Sequence, residues 1–515
     1  MTKSRPQKRV SSKDEADVGQ DRLSELPDDV IINILSCLPT IDAVRTVLLR
    51  RFGNLWTFVH SLKFYMDEYL AIFQDDSPIS DMDDYYDSPI SDMDDDYYDS
   101  PLSDMDDYYD SPMSDMDDYY HRTMWDYKNT GNPHIKWFCS FVRNVLMLHK
   151  NLSIDIFHLC IGSNDREEFD VRVFLRSALD IRQAKEIRLS TSNYDYNRGL
   201  IFPNNFKLTS QFLVTLDFDY FIFKGEFQVE LVSLKKLSLN HVCMSDANFQ
   251  RFVSGCSSLQ ELVIVNPFWM NNLSFSAPNI NKLSLVIMKN DDDYYNIVHQ
   301  LSLNVPNLRS LYLEFDVWLL NITDVSSVRD CYVNYSTFHI NRDEVVAINQ
   351  MLFGKLQGTE VLQLSCDASK KFLHSIELEA LQSRWKRVVM ELDHFCASCL
   401  SGMYHLIESS QQLEELIIYT TKNFLACIDL DRIKHLRPCV TSQLKTITLH
   451  GYSKSWRKSW TSQLQLIEFL LKTAATLDKL VIVPVKSLKK AEEVEFVNHV
   501  SSFEMSSPTV RVIFA

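Results

Sequence analysis

The tightest grouping of chemically capable side chains in this sequence is HFCASC, residues 394–399, where His394 stands beside the pair Cys396 and Cys399. Two thiols three residues apart with an imidazole are donors for zinc, and the two sulfurs alone could form a redox couple. A zinc site of the usual spacing draws on a second such pair, and the chain has none. Burial of these thiols as small apolar groups is therefore the favoured use, and no metal or cofactor is expected. The other chemically suggestive stretch is residues 76–120, where one phrase, DSPISDMDDYY and its variants, is written four times. Each copy offers two serines for phosphorylation. Ser77, Ser88, Ser100 and Ser111 precede proline, while Ser80, Ser91, Ser103 and Ser114 head Ser-Asp-Met-Asp. A phosphate at each would add up to about two negative charges. The unit lacks the glycine and terminal glutamate of a helix-loop-helix calcium loop, so calcium is not its expected ligand.

Composition narrows the remaining chemistry. Among 515 residues there are 11 glycines, about a third of the usual share, and no GxxxxGK[ST], GxGxxG, GxSxG or HExxH occurs. The formal net charge of -17 is local: eighteen Asp and no Lys or Arg fall within residues 75–118, leaving the rest near neutral. That remainder offers no basic face for nucleic acid. Carboxylates in a solvated, repetitive tract have no apolar wall to raise a pKa, which argues against an acid/base enzyme. The 11 scattered cysteines read as reduced thiols, and with KSRPQKR at residues 3–9 they point to the nucleus, the cytoplasm or both. No apolar run is long enough to span a membrane.

The elements that must position any site fall into two kinds. In LSELPDDVIINILSCLP, residues 23–39, Val30, Ile31, Ile34, Leu35 and Leu38 make one apolar helical stripe. Pro27, Asp28 and Asp29 suit a first turn, and Pro39 stops the helix. A second short helix follows with Thr40 as a plausible cap and Ala43, Val44, Val47 and Leu48 on one face. Further on, L-x-x-L-x-L recurs as LVTLDF at 213, LKKLSL at 234, LQELVI at 259, INKLSL at 280 and LRSLYL at 308. It returns as LEELII at 413, LKTITL at 444 and LDKLVI at 477, with AKEIRL at 184 as a weaker early copy. The starts from 213 to 308, 21 to 28 residues apart, match leucine-rich repeats. Each unit supplies a strand that buries its leucines only when neighbours stack. The residues between those leucines then line a concave face: Asp217, Asp219, Lys236, Ser238, Asn240, Glu261, Val263, Lys282, Ser284, Tyr312 and Glu314. This mixed lining suits a protein target better than a small substrate.

Leu26-Pro27-Asp28, Ile34-Leu35-Ser36, Leu38-Pro39, Asp42-Ala43-Val44 and Leu55-Trp56 together resemble the F-box of plant F-box proteins. Residues 438–484, with the strand Leu444–Tyr452, the helix Leu464–Ala474 and the strand Leu477–Val483, resemble the FBD domain that follows leucine-rich repeats in many of them. The resemblance implies that Leu26, Pro27, Ile31, Ile34, Leu35, Leu38, Pro39, Val44, Leu48 and Trp56 bind a Skp-type adaptor, and through it a cullin-RING ubiquitin ligase. The chain would be the non-catalytic, target-recognising subunit of an SCF-type ligase. It departs from the family at RTVLLRRFGNLW, where Phe52 stands at the usual tryptophan, and the alternative is a scaffold with a degenerate F-box.

The expected fold class is α/β. A polar tail (1–20) precedes a small all-helical F-box (21–66) and a disordered Asp-rich insert (75–120). A degenerate leucine-rich-repeat solenoid of parallel strands and returning helices (121–375) follows, and an FBD region (376–515) completes or caps it.

Overall fold

Asp28 and Asp29 open helix α1 (Asp28–Cys37) where the sequence places them, against the positive end of the helix dipole. In the computed structural model the described residues are 25–71, 133–151, 153–162, 171–191, 199–270, 272–288, 300–315, 320–324, 327–335, 352–375, 383–427, 437–439, 443–452, 457–484 and 490–514. The N-terminal tail and the Asp-rich repeat, with its eight serines, lie outside them. The chain divides into two compact units, Met1–Asn151 with His158–Asp170, and Leu152–Phe157 with Val171–Ala515.

In the first unit α1 spends Ile31 and Leu35, one turn apart, on the core. Pro39 stops it, and α2 (Thr40–Arg45) starts at once with Pro39, not Thr40, at the cap position. The Thr40 hydroxyl instead accepts the Lys63 backbone N–H at 2.7 Å. Beyond α2 a single 3-10 turn, Leu55–Phe58, buries Trp56. A strand, Ser61–Tyr65, then leads into α3 (Met66–Ala71) and α4 (Pro133–Leu148). Phe64 meets Phe141 edge-on, and Tyr69 stacks on Phe141 with centroids 5.2 Å apart. These ring contacts hold α4 in the first unit.

The second unit is built on one parallel sheet. Its strands, in spatial and chain order alike, are β1 (Glu186–Thr191), β2 (Thr215–Asp219), β3 (Lys236–Asn240), β4 (Glu261–Val265), β5 (Lys282–Ile287), β6 (Ser310–Phe315) and β7 (Asp330–Tyr335). They continue as β8 (Val361–Leu364), β9 (Arg387–Cys396), β10 (Glu415–Cys427), β11 (Thr446–Tyr452), β12 (Lys479–Pro484) and β13 (Arg511–Phe514). The register stacks like on like. Leu216, Leu237, Leu262, Leu283, Leu311, Cys331, Leu362, Val388, Leu416, Ile447 and Leu480 form one buried row. Each such side chain contributes about 1.5–3 kcal/mol through burial. The boundary expected at residue 375 leaves no break in the sheet, because β8 pairs directly with β9.

The returning segments differ from expectation. Early in the unit they are largely short strands, forming small parallel sheets such as Asn272–Ser276, Gln300–Asn304 and Leu320–Asp324. Repeats of 21 residues leave little room for a helix, and the intervening sequence, FIF at 221–223 for example, favours strands. Helices return as α5 (Val171–Arg176), before the sheet, and then α6 (Asp246–Gly255), α7 (Cys366–Ser375), α8 (Ala397–Ser409), α9 (Arg457–Thr473) and α10 (Lys490–Ser501). Behind the early strands Phe202, Phe218, Phe223, Phe227 and Phe252 form an aromatic core, with Phe202 and Phe223 stacked at 4.7 Å. Tyr220, His241 and Asn266, the residues just after β2, β3 and β4, all have positive φ (57°, 50° and 41°). One left-handed turn is therefore repeated with three different side chains. Tyrosine rarely adopts it, and Tyr220 lies flat on His241 with centroids 4.5 Å apart.

Candidate functional site

Two surfaces carry the residues that the sequence singles out, one on each unit. In the first unit the single apolar stripe expected of α1 and α2 is split. Ile31, Leu35 and Trp56 are buried in the unit's own core. Leu26, Leu38, Pro39 and Val44 are half-buried, and Pro27 is exposed. Ile34 is 44% exposed and Leu48 85%, with Val30, Val47, Leu49 and Phe58 exposed as well. A few apolar side chains on a surface need no explanation, but six large ones from one short helical unit do. Arg51 ties down the start of α1, donating to the Leu26 carbonyl at 2.9 Å and pairing with Asp28 at 2.6 Å. This leaves Pro27 presented to solvent at the helix entrance.

In the second unit, alternation along each strand buries one set of side chains and leaves the other half-exposed on an open face. Most of the expected lining residues stand there. Ser238 stands in the same row, between Asp217 and Val263, but is buried there by its neighbours, with its hydroxyl donating to Asn240 Oδ1 at 3.3 Å. Asn240 in turn donates to Asp217 Oδ1 at 3.1 Å. Burial pushes the Asp217 carboxyl above the ordinary range, against the opposing pull of Ser238 and the Arg188 charge. One row of the face pairs Lys236 with Glu261 at 2.6 Å, while Lys282 and Ser284 occupy the next strand in register. Asp219 lies 3.4 Å from His241. On β6 the Tyr312 hydroxyl donates to Glu314 at 2.9 Å, and Asn334 donates to the same carboxylate at 3.0 Å. The Tyr312 and Tyr332 rings stack at 4.4 Å. Burial first, and then Glu314, raise the Tyr312 hydroxyl above its ordinary pKa.

The face continues where sequence reasoning stopped. Val263, Ser284, Tyr312, Tyr332, Gln363, Val389, Ile417, Thr448, Val481 and Ile513 follow one another in register across β4 to β13. Tyr419 stacks on His450 at 4.4 Å beside them. LEELII, LKTITL and LDKLVI marked those later strands, and the alternate positions within them were the available signal. The HFCASC grouping is also rearranged. Cys396 and Cys399 are near one another, but the imidazole that joins them is that of His374, 22 residues upstream of Cys396. His394 offers Cys399 only its backbone carbonyl, at 4.0 Å.

No protein-family model matches the chain. Curated relatives do. An FBD-associated F-box protein of Arabidopsis thaliana is 23% identical over 529 residues, covering 98% of this chain and 98% of the relative. An F-box/FBD/LRR-repeat protein of the same plant is 25% identical, covering 96% of this chain and 99% of the relative. An F-box protein, also from Arabidopsis, is 24% identical over 85% of this chain and 88% of its own length. Along most of its length, the chain is thus similar to plant F-box proteins that carry FBD and leucine-rich-repeat regions.

Proposed function

We propose that the chain is the target-recognising, non-catalytic subunit of an SCF-type cullin-RING ubiquitin ligase. The first unit binds a Skp-type adaptor, and the open face of the parallel sheet binds a protein marked for ubiquitin transfer. The observation that carries this reading is the number of exposed apolar side chains, Ile34 and Leu48 among them, within the residues that resemble the F-box. Those side chains gain most by being covered, at about 25 cal/mol for each Å² removed from water. Holding adaptor and target on one chain raises the effective concentration of target at the ligase, so no catalytic residue is required of this subunit.

The target is a protein rather than nucleic acid, because outside the Asp-rich insert the chain is near neutral. Among the described residues no helix is long and apolar enough to cross a membrane. The subunit acts in the nucleus, the cytoplasm or both, where its thiols stay reduced. Phosphorylation at the eight repeat serines would deepen the charge of the insert and alter partner choice or turnover. Mass spectrometry of the protein from native tissue reads this directly, and consistently unmodified serines would leave the repeat without that role.

Co-purification of the full chain with a plant Skp-type adaptor tests the central reading, beside an Ile34→Asp, Leu48→Asp double variant. Both substitutions sit on exposed positions, so the variant should melt as the wild type does. Adaptor held by the wild type and lost by the variant is the expected result. Adaptor held by neither would favour the scaffold alternative, with the single 3-10 turn at Leu55–Phe58 as the structural reason.

A further inference from the structure

Three elements of the second unit converge on one point. Helix α7 ends at Ser375 with His374 in its last turn, and β9 ends at Cys396, which caps α8. Cys399 lies in the first turn of α8. Gly402 permits the convergence. A Cβ at that position would lie 2.0 Å from the Leu373 carbonyl oxygen, so only glycine lets α8 approach the residue next to His374 this closely.

At the meeting point His374 Nε2 lies 3.2 Å from Cys396 Sγ and 3.2 Å from Cys399 Sγ, and the two sulfurs are 3.6 Å apart. With Zn–S near 2.3 Å and Zn–N near 2.0–2.1 Å, donors on a tetrahedral zinc stand about 3.8 Å apart for two sulfurs and about 3.5 Å for sulfur and nitrogen. The observed triangle is within a few tenths of an ångström of that. A single imidazole nitrogen serves one hydrogen-bond partner, yet here two thiols lie equally near it. A cation at their common centre satisfies all three atoms at once.

We propose that His374, Cys396 and Cys399 bind one zinc(II) ion through Nε2 and two thiolates, with water in the fourth position. The two thiolates balance the charge of the ion, and binding releases the two thiol protons to solvent. Cys399 is buried, Cys396 half-buried and His374 exposed, so the set has a closed floor and an open side for the water. Cys396 also stands at the N-terminus of the 13-residue α8, where the helix dipole favours a thiolate. The ion would fasten α7 to the β9–α8 corner, adding a bond on the helix side to two successive repeats already joined by the β8–β9 pairing.

The test uses the full chain, purified under reducing conditions, incubated with zinc and dialysed against a weak competing chelator. Metal content by atomic spectrometry and thiolate-to-cobalt charge-transfer absorption after cobalt(II) substitution are the readouts. One equivalent of zinc and the charge-transfer band are expected for the wild type and for His394→Ala. Cys396→Ser and His374→Ala should each weaken binding by more than the ~100-fold that loss of an outer hydrogen-bond partner costs. Both change positions that are not fully buried, so thermal melts can establish that the variants fold. The proposal is overturned if folded wild type holds no more zinc than Cys396→Ser. It is equally overturned if Cys396 and Cys399 form a disulfide in glutathione buffer to the same extent with zinc as without it, which would make the pair a redox couple.

Discussion

The open face of the parallel sheet has two halves of different character. From β2 to β4 its side chains, Val263 apart, are mostly polar and bound to one another: Asn240 to Asp217, Ser238 to Asn240, Lys236 to Glu261. From β9 to β12 the row that carries Asp217 and Ser238 continues as Val389, Ile417, Thr448 and Val481, with the Tyr419–His450 stack alongside, although Arg387 and Glu415 pair in the row where Lys236 meets Glu261. A polar ladder that already satisfies itself has little to gain from a partner and mainly excludes poorly matched ones, whereas half-exposed aliphatic and aromatic side chains gain by being covered. The same strand pattern therefore yields a half suited to selectivity and a half suited to affinity.

Breaking the apolar half alone is the largest expected effect. Gly451 has φ +96° at a register shift between β11 and β12, and a Cβ there would lie 2.2 Å from the Thr420 carbonyl oxygen. Gly451→Val combines backbone strain with overpacking and should cost about 3 kcal/mol. Because each repeat leans chiefly on its neighbours, hydrogen exchange should accelerate in β10 to β12 and stay slow in β2 to β5. Equal acceleration in both halves would mean that the sheet opens as one block.

The two halves were also unequally legible in the sequence. Leu216, Leu237, Leu262, Leu283 and Leu311 announce their shared row because leucine recurs at one position of a period-two pattern. Cys331 and Val388 occupy the same row without a leucine to mark them, so the L-x-x-L-x-L pattern passes over β7 and β9. The repeated left-handed turn at Tyr220, His241 and Asn266 has no common residue, since the turn is fixed by backbone bonds such as Tyr220 N–H to the Asn240 carbonyl. His374 was invisible for a related reason. Its proximity to Cys396 arises from the close helix contact at Gly402, and nearness in sequence pointed to His394 instead. In the first unit a helical period groups Ile31, Ile34, Leu35 and Leu38 together, but it cannot say which part of that side the core consumes, and Leu38 falls just past α1 in extended backbone.

A smaller effect sharpens the polar half. Asn240→Ala removes the donor to Asp217 and the acceptor for Ser238 together. Leaving those part-buried groups unmet should cost about 1–2 kcal/mol, seen as a lower denaturation midpoint with an unchanged slope. A change below a few tenths of a kcal/mol would show that water replaces the ladder and that the polar half is not self-satisfied.

The smallest effect concerns the charge within that ladder. Asp217 holds its proton more tightly in the folded chain than in the unfolded one, chiefly because burial disfavours the carboxylate. Between its unfolded pKa, about 3.9, and the raised folded value, the folded state therefore binds more protons. Its contribution to stability is fully present below that window and is lost as pH rises through it. Above that window the charged form of Asp217 is a net cost, although it accepts from Asn240. Asp217→Asn keeps an oxygen for Asn240 and removes the charge, so the variant should melt slightly above the wild type at pH 7. That advantage should shrink as pH falls through the raised folded value, where the wild-type carboxyl takes up its proton. Paired thermal melts from pH 4 to 7 measure the difference. A variant that melts below the wild type at pH 7 would mean that attraction to Arg188 outweighs burial, and the polar half would then be held by charge rather than by neutral hydrogen bonds.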